Sequence, residues 1–261
     1  MMVKAKEKSI EPTIISKNLF KNFISTIDVA KDFNDSITFN DGIAYLYSSD
    51  KTMLMRIECN CPINIELTKL ASKLMILNAY CGDTVEFNKD DHYYIINNGS
   101  DIIKFPLTEN PFKATEEVYN SKLNTLINNQ PFIFDWNITS EKFESIRKYF
   151  SGFGSNSFIF KKEPNDDNLI IKVGTENIFG CAIINNCKIE DEKLIPIEIN
   201  TDCEFEYISS TGKCFNKINI KAYYNTETGN IVFVSDLESS FCKIQAFRRR
   251  PSVSTVASGR I

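Results

Sequence analysis

The chain has 261 residues, 43% of them hydrophobic, with 20 Phe and 10 Tyr, and a formal net charge of -4. That length supports one large domain or two ordinary ones, each with a real core. An acidic body excludes indiscriminate nucleic-acid binding, although not a protein that gathers its positive charge on one surface.

The charge is uneven along the chain. Residues 248–261 hold four Arg and no acid, so residues 1–247 carry 26 Lys and Arg against 34 Asp and Glu, a balance of -8. The opening "MMVKAKEKSIEP" is charged and lacks the apolar core of a signal peptide. No apolar run approaches the roughly eighteen residues that a spanning helix needs. The eight Cys are therefore expected to be reduced thiols in a cytoplasmic protein, with no membrane partner.

Residues 1–12 read as a flexible arm. "SKNLFKNFISTIDVAKDF" (16–33) predicts a helix with Ser16 as N-cap, because Leu19, Phe20, Phe23, Ile24 and Ile27 recur at helical spacing. Short strands follow in "SITFN", "GIAYLYSS" and "TMLMRIECN", with Asp41-Gly42 as a hairpin signal. A second helix is expected over roughly Leu67–Tyr80, burying Leu67, Leu70, Leu74 and Leu77. Then come strands in "DTVEFNK", "HYYIINN" and "DIIKFPL". Residues 108–130, with Pro111 and weak periodicity, read as a connector holding at most one helical turn.

The order then begins again. "FIFDWNITSEKFESIRKYFSG" predicts a strand and a helix, capped by Thr139 or Ser140 and followed by Gly152. Strands are expected in "NSFIFKKE", "NLIIKVGT", "IFGCAIINN" and "LIPIEIN". "EFEYISSTGKCF" occupies the place of a fourth helix. "NKINIKAYYN", "GNIVFVSD" and "SFCKIQAF" close the series, with a turn at Thr228-Gly229-Asn230, and residues 248–261 read as a disordered basic tail. The domains are thus 13–107 and 131–247. Short strands joined by turns, without long crossovers, indicate an α+β chain of antiparallel sheets with helices on one face.

No catalytic set emerges. The only His, His92, stands at a strand start, and no Gly-rich phosphate loop, G-x-S-x-G or H-E-x-x-H occurs. Cys59-x-Cys61 puts two thiols on one face of a strand, but no second pair at zinc-site spacing exists, so they read as small core residues. Asp90-Asp91 and Asp166-Asp167 fall in turns, where Asp is favoured for local reasons. Neither cofactor nor metal is expected.

The lysines are more informative. On the first helix Lys17, Lys21 and Lys31 share a sector away from the apolar stripe. On the second, Lys69 and Lys73 are read as lying opposite Leu70 and Leu74. On the third, Phe143, Ile146 and Phe150 form the buried stripe, Lys148 lies on the far side, and Lys142 and Arg147 flank the stripe. Taken singly these are solvated helix faces. Taken together, on helices sharing one side of the sheets, they form an electrostatic footprint for a polyanion, with lysines that position phosphates without reading sequence.

The order of elements, with "LFKNFISTI", "GIAYLYSSDKTMLMRIE", "INIELTKLASKLMIL", "DTVEFNKDDHYYIIN" and "FDWNITSEKFESIRKYFSG", resembles that of DNA polymerase sliding clamps. The resemblance is to the two-domain trimeric clamps of tailed phages and, more distantly, to the proliferating-cell nuclear antigen, and it covers about residues 12–247. It implies a homotrimeric ring that encircles double-stranded DNA and tethers a replicative DNA polymerase. It also implies loading by a clamp loader ATPase in the cytoplasm of an infected host cell, and no enzymatic activity. The candidate DNA contacts are then Lys17, Lys21, Lys31, Lys69, Lys73, Lys142, Arg147 and Lys148. Two other readings stay open: a monomeric clamp-fold DNA-binding subunit, and a viral structural protein whose lysines are merely solvated.

Overall fold

The computed structural model describes residues 12–80, 83–129, 132–139, 141, 142, 144, 145, 148, 152, 157–162, 169–174, 179–184, 198–202, 215–225, 228 and 230–254. The chain divides into two units. One comprises Met1–Ala44 and Glu58–Lys113; the other comprises Tyr45–Ile57 and Ala114–Ile261. The division is thus not a single cut near residue 108, because the segment Tyr45–Ile57 groups with the second half.

In the first unit, β1 (Thr13–Ser16) runs straight into α1 (Lys17–Ala30), and Ser16 Oγ accepts the Leu19 amide at 3.4 Å, the expected cap. β1 pairs antiparallel with β6 (Thr84–Lys89), β6 with β7 (Tyr93–Asn97), and β7 with β8 (Ile102–Pro106). Alternation along these strands puts Ile15, Val85, Phe87, Ile96 and Phe105 on a buried face. On that face Phe23 of α1 meets Phe87 edge-on, with ring centroids 5.8 Å apart, and Phe20 meets Tyr80 and Phe87 at 6.0 and 6.1 Å. The other face leaves Ile14, Tyr93 and Ile102 exposed.

β2 (Ser36–Phe39) pairs with β5 (Ile65–Thr68). After β2, Asp41 and Gly42 take φ of 50° and 77°, and Asn40 and Ile43 exchange backbone bonds across them. This is the predicted two-residue turn. Gly42 is required there: a Cβ would come within 2.6 Å of the Cys61 carbonyl oxygen. β5 leads into α2 (Leu70–Ala79) through the single residue Lys69. The helix expected from Leu67 therefore starts three residues later, and Leu67 is a buried strand residue.

β3 (Ile43–Tyr47) and β4 (Met53–Cys59), whose Tyr45–Tyr47 and Met53–Ile57 portions belong to the second unit, pair with each other, and β4 also pairs with β16 (Cys242–Ser254). The rest of this ten-stranded sheet comprises β9 (Phe132–Ile138), β10 (Ser157–Lys162), β11 (Leu169–Gly174), β12 (Phe179–Ile184), β13 (Glu198–Asp202), β14 (Lys217–Asn225) and β15 (Asn230–Glu238). Its order is β12-β11-β10-β13-β16-β15-β14-β9. Every pairing with a resolved register is antiparallel.

Two expectations need correction here. The connector holds a 14-residue helix, α3 (Glu116–Asn129), where at most one turn was expected. Thr115 caps it, accepting the Val118 amide at 3.2 Å, and Tyr119 is buried against Tyr45, Leu54, Tyr223, Val234 and Phe247. The basic tail does not begin at residue 248. The arginines continue β16, pairing Arg248, Arg249 and Arg250 with Phe233, Val232 and Ile231 of β15. A charged residue joins a ladder readily, because the ladder bonds use only its backbone. The segment proposed as the fourth helix, apart from its last residue Phe215, and the arm before residue 12 lie outside the described residues.

Candidate nucleic-acid interface

α1 presents its charges outward, as its periodicity predicts. Phe20, Phe23, Ile27 and Ala30 are buried, while Lys17 and Lys21 are exposed and Lys31 is half-buried. Lys17 Nζ lies 3.7 Å from an Asp83 carboxylate oxygen, and Lys31 Nζ bonds the Asp28 carboxylate. That bond raises the Lys31 pKa, more strongly than partial burial lowers it. Pairs this exposed are worth at most about 1 kcal/mol and are screened by salt, so both amines stay available to a stronger anion. Lys21 makes no ion pair among the described residues.

α2 departs from expectation. Lys69 is exposed, at a φ of 55° that only a few per cent of non-glycine residues adopt. Lys73, expected on the outer side, is buried at 8% exposure beside Leu70, Leu74 and Leu77. The reason is phase. At about 100° per residue Lys73 stands about 60° from Leu70 and about 40° from Leu77, inside the buried arc. Its Nζ sits 5.3 Å from the centroid of the Phe105 ring and has no hydrogen-bond acceptor among the described residues. Desolvation lowers the Lys73 pKa; Asp35 opposes the shift and Lys69 adds to it. The exposed arc of α2 carries Ala71, Ser72, Met75, Ile76, Asn78 and Ala79, with no charge among them. Met75 is 76% exposed and Ile76 48%. Sequence reading missed this apolar face, although the run Met75-Ile76-Leu77 signals that apolar residues wrap beyond one stripe.

In the second unit, Glu141, Lys142, Glu144, Ser145 and Lys148 have helical backbone. Thr139 supplies the cap, its Oγ1 accepting the Lys142 amide at 3.2 Å. Lys142 and Lys148 are exposed. Arg147 and the expected stripe Phe143, Ile146 and Phe150 lie outside the described residues. α1 and α2 pack side by side in the first unit, so the structure brings Lys17, Lys21, Lys31 and Lys69 into one helix layer.

Of the sites set aside on sequence grounds, Cys59-x-Cys61 and Asp90-Asp91 behave as ordinary structure, and Asp166-Asp167 lie outside the described residues. Cys59 and Cys61 are buried free thiols, and the Thr26 hydroxyl donates to Cys59 Sγ at 3.3 Å. Among the described residues no group of three or more His, Cys, Asp and Glu side chains is placed to hold a metal ion. The Asp90 carboxylate accepts the backbone amides of His92 and Tyr93 at 2.8 and 2.6 Å, and these bonds hold its pKa below the usual range. That is the turn role expected of it. No helix among the described residues is long and apolar enough to cross a membrane.

No protein-family model matches the sequence, and no curated protein matches it either. Solved structures do match. The crystal structure of Proliferating Cellular Nuclear Antigen from Entamoeba histolytica superposes with a TM-score of 0.60 at 14% identity, over 92% of this chain and 98% of that one. PCNA from Thermococcus kodakaraensis gives 0.59 at 10% identity, over 93% and 99%. The fold is that of the PCNA-type sliding clamps: α+β, with two similar domains of antiparallel sheets carrying helices.

Proposed function

We propose that the chain is a DNA polymerase processivity factor, a sliding clamp that encircles duplex DNA and tethers a replicative polymerase. The observation that carries this reading is the likeness to two PCNA structures over more than nine-tenths of the chain. The outward lysines of α1, with Lys69, Lys142 and Lys148, support it. A hydrated point charge on a flexible stem holds a phosphate without locking it, which suits a protein that must slide. The acidic remainder would repel phosphates from other surfaces. No bond is made or broken by the chain itself.

A homotrimer of the kind found in tailed phages fits the strand edges. β8 ends the sheet of the first unit and β12 ends the sheet of the second. Among the described residues each presents unpaired backbone groups, and joining the first edge of one copy to the second edge of the next is a head-to-tail contact that can close a ring. Exposed Ile102 on β8 would be covered by that contact. An ATP-driven clamp loader would open the ring, in the cytoplasm of the infected cell.

Light scattering across a concentration series tests assembly first. A mass near three copies of the 29.8 kDa chain supports the ring, whereas one copy persisting at high concentration favours the monomeric clamp-fold subunit. Function is tested by replacing Lys21, Lys69 and Lys148 together with Glu. Folding should survive and polymerase stimulation on a long template should be abolished. Undiminished stimulation removes these lysines from the interface, and a wild type that shows no DNA dependence returns the chain to a structural protein.

A further inference from the structure

Cys59 closes β4 and Cys61 follows two residues on; both are buried free thiols. In a straight strand, residues two apart stand about 6.6 Å from each other, near the upper limit of about 6.8 Å for Cα atoms joined by a disulfide. Here the chain bends at Asn60 and Cys61, and a bend shortens that span. Backbone bonds hold the bend. The Cys59 amide donates to the Gly42 carbonyl at 2.8 Å, the Gly42 amide to the Ile63 carbonyl at 3.0 Å, and the Ile63 amide to the Cys61 carbonyl at 2.9 Å. The Asp41-Gly42 turn closes on this loop so tightly that a Cβ on Gly42 would stand 2.6 and 3.0 Å from the Cys61 and Cys59 carbonyl oxygens. The backbone of the pair is thus fixed in its bent form before any bond joins the sulfurs.

The two thiols also meet. The Cys61 thiol hydrogen-bonds Cys59 Sγ, and the wholly buried Thr26 hydroxyl of α1 reaches the same sulfur at 3.3 Å. The bond from Cys61 lowers the Cys59 pKa; burial opposes the shift and the Thr26 contact adds to it. The thiolate is the reactive form of cysteine, so Cys59 is the nucleophile of the pair and Cys61 carries the proton. Asn60 and Pro62, on either side of Cys61, are exposed. The pair therefore lies just beneath the surface, within reach of a small diffusible oxidant.

We propose that Cys59 and Cys61 form a reversible disulfide when the chain meets a peroxide, which makes the bend after β4 a redox-sensitive element. The Cys59 thiolate attacks one peroxide oxygen and breaks the O–O bond, giving a sulfenic acid and a hydroxide, which takes up the proton that Cys59 released. The Cys61 sulfur then attacks the sulfenic sulfur, and its own proton leaves with the displaced hydroxide as water. Two thiols and one peroxide give one disulfide and two waters. The ring so closed spans a single intervening residue, and disulfides under such constraint are readily reduced. That suits a bond made and unmade in a reducing compartment. The new bond turns Cys59 Sγ toward Cys61 and away from Thr26, so Thr26 reports the change to α1. This holds whether or not the chain is a clamp.

The experiment exposes the full native chain to hydrogen peroxide, alkylates it after denaturation and weighs the tryptic peptide 57–69, which contains no other cysteine. That peptide should lose both alkylation sites and come two hydrogens lighter than its thiol form, and dithiothreitol should restore it. The Thr26 methyl signal, followed by NMR, should move on oxidation and return on reduction. In Cys61→Ser a dimedone adduct should accumulate on Cys59, whereas in Cys59→Ser Cys61 should take up far less. A peptide 57–69 that still carries two alkyl groups, at a peroxide dose that fully oxidises free glutathione, overturns the disulfide. So does oxidation of Cys59 to sulfinic acid while Cys61 is still alkylated. A disulfide that forms without moving the Thr26 signal overturns the link to α1.

Discussion

α1 and α2 lie side by side in one unit and meet solvent in opposite ways. α1 is capped by Ser16, buries aromatic rings and keeps its lysines outside. α2 is reached through a left-handed lysine, buries a second lysine and shows Met75 and Ile76 to solvent. The contrast shows that a charged residue's place follows the phase of its helix before its hydration preference. Where three leucines fix the inward side, a lysine within their arc is carried inside, and its long stem makes that tolerable.

The sharpest way to break the comparison is to remove what α1 buries. Phe23→Ala should cost about 3–5 kcal/mol, read as a fall in the denaturant midpoint. A cost below about 1 kcal/mol would mean that the ring cluster is not close-packed. Next comes the buried amine of α2. Lys73→Met keeps the stem and removes the unpaired charge, so it should stabilise by about 1–2 kcal/mol; destabilisation would show that the amine has a partner.

The same residue gives a pH signature. The folded-state pKa of Lys73 is lowered from 10.5. Below the lowered value the amine is charged in both states and its cost is full. Between that value and 10.5 the folded chain has released a proton that the unfolded chain still holds, so stability climbs as pH rises. Lys73→Met should lose that climb, and denaturation series at several alkaline pH values for both proteins would reveal it.

Smaller effects belong to the helix starts. Ser16→Ala should cost α1 about 1 kcal/mol. Lys69→Gly should gain α2 about 0.5 kcal/mol, because glycine tolerates a φ of 55° but loses more entropy on folding. Equal thermal shifts of the same sign at both sites would erase the difference between the two helix starts.

Much of this is legible in the sequence. Ser16, the spacing from Phe20 to Ile27 and the Asp41-Gly42 turn lead directly to α1 and to the first turn, because each is a local signal with a local cause. α2 is harder because "IELT" is strand, and Lys69 resets the backbone before the helix begins. Counting from Leu67 suggests a face that the helix does not have. α3 is harder to read because it stands in a mostly polar stretch after Pro111, where Tyr119 and Leu123 pack inward among the described side chains, although Thr115 ahead of Glu116 and Glu117 is a readable start. The arginines of β16 mislead by their charge, whereas their place is set by partners on β15.

That long last strand also bears on how the second unit folds. β14, β15 and β16 form a meander of sequence neighbours, whereas β13 joins it where Ile199, Asn200 and Thr201 meet Ser254, Val253 and Ser252. Loop closure over such a separation is slow compared with hairpin formation. The meander should therefore gain hydrogen-exchange protection early, and the β10–β13 group should dock late. Shortening β16 past residue 251 should leave the meander folded and set that group adrift, so the arginine-rich end acts as the seam of its sheet.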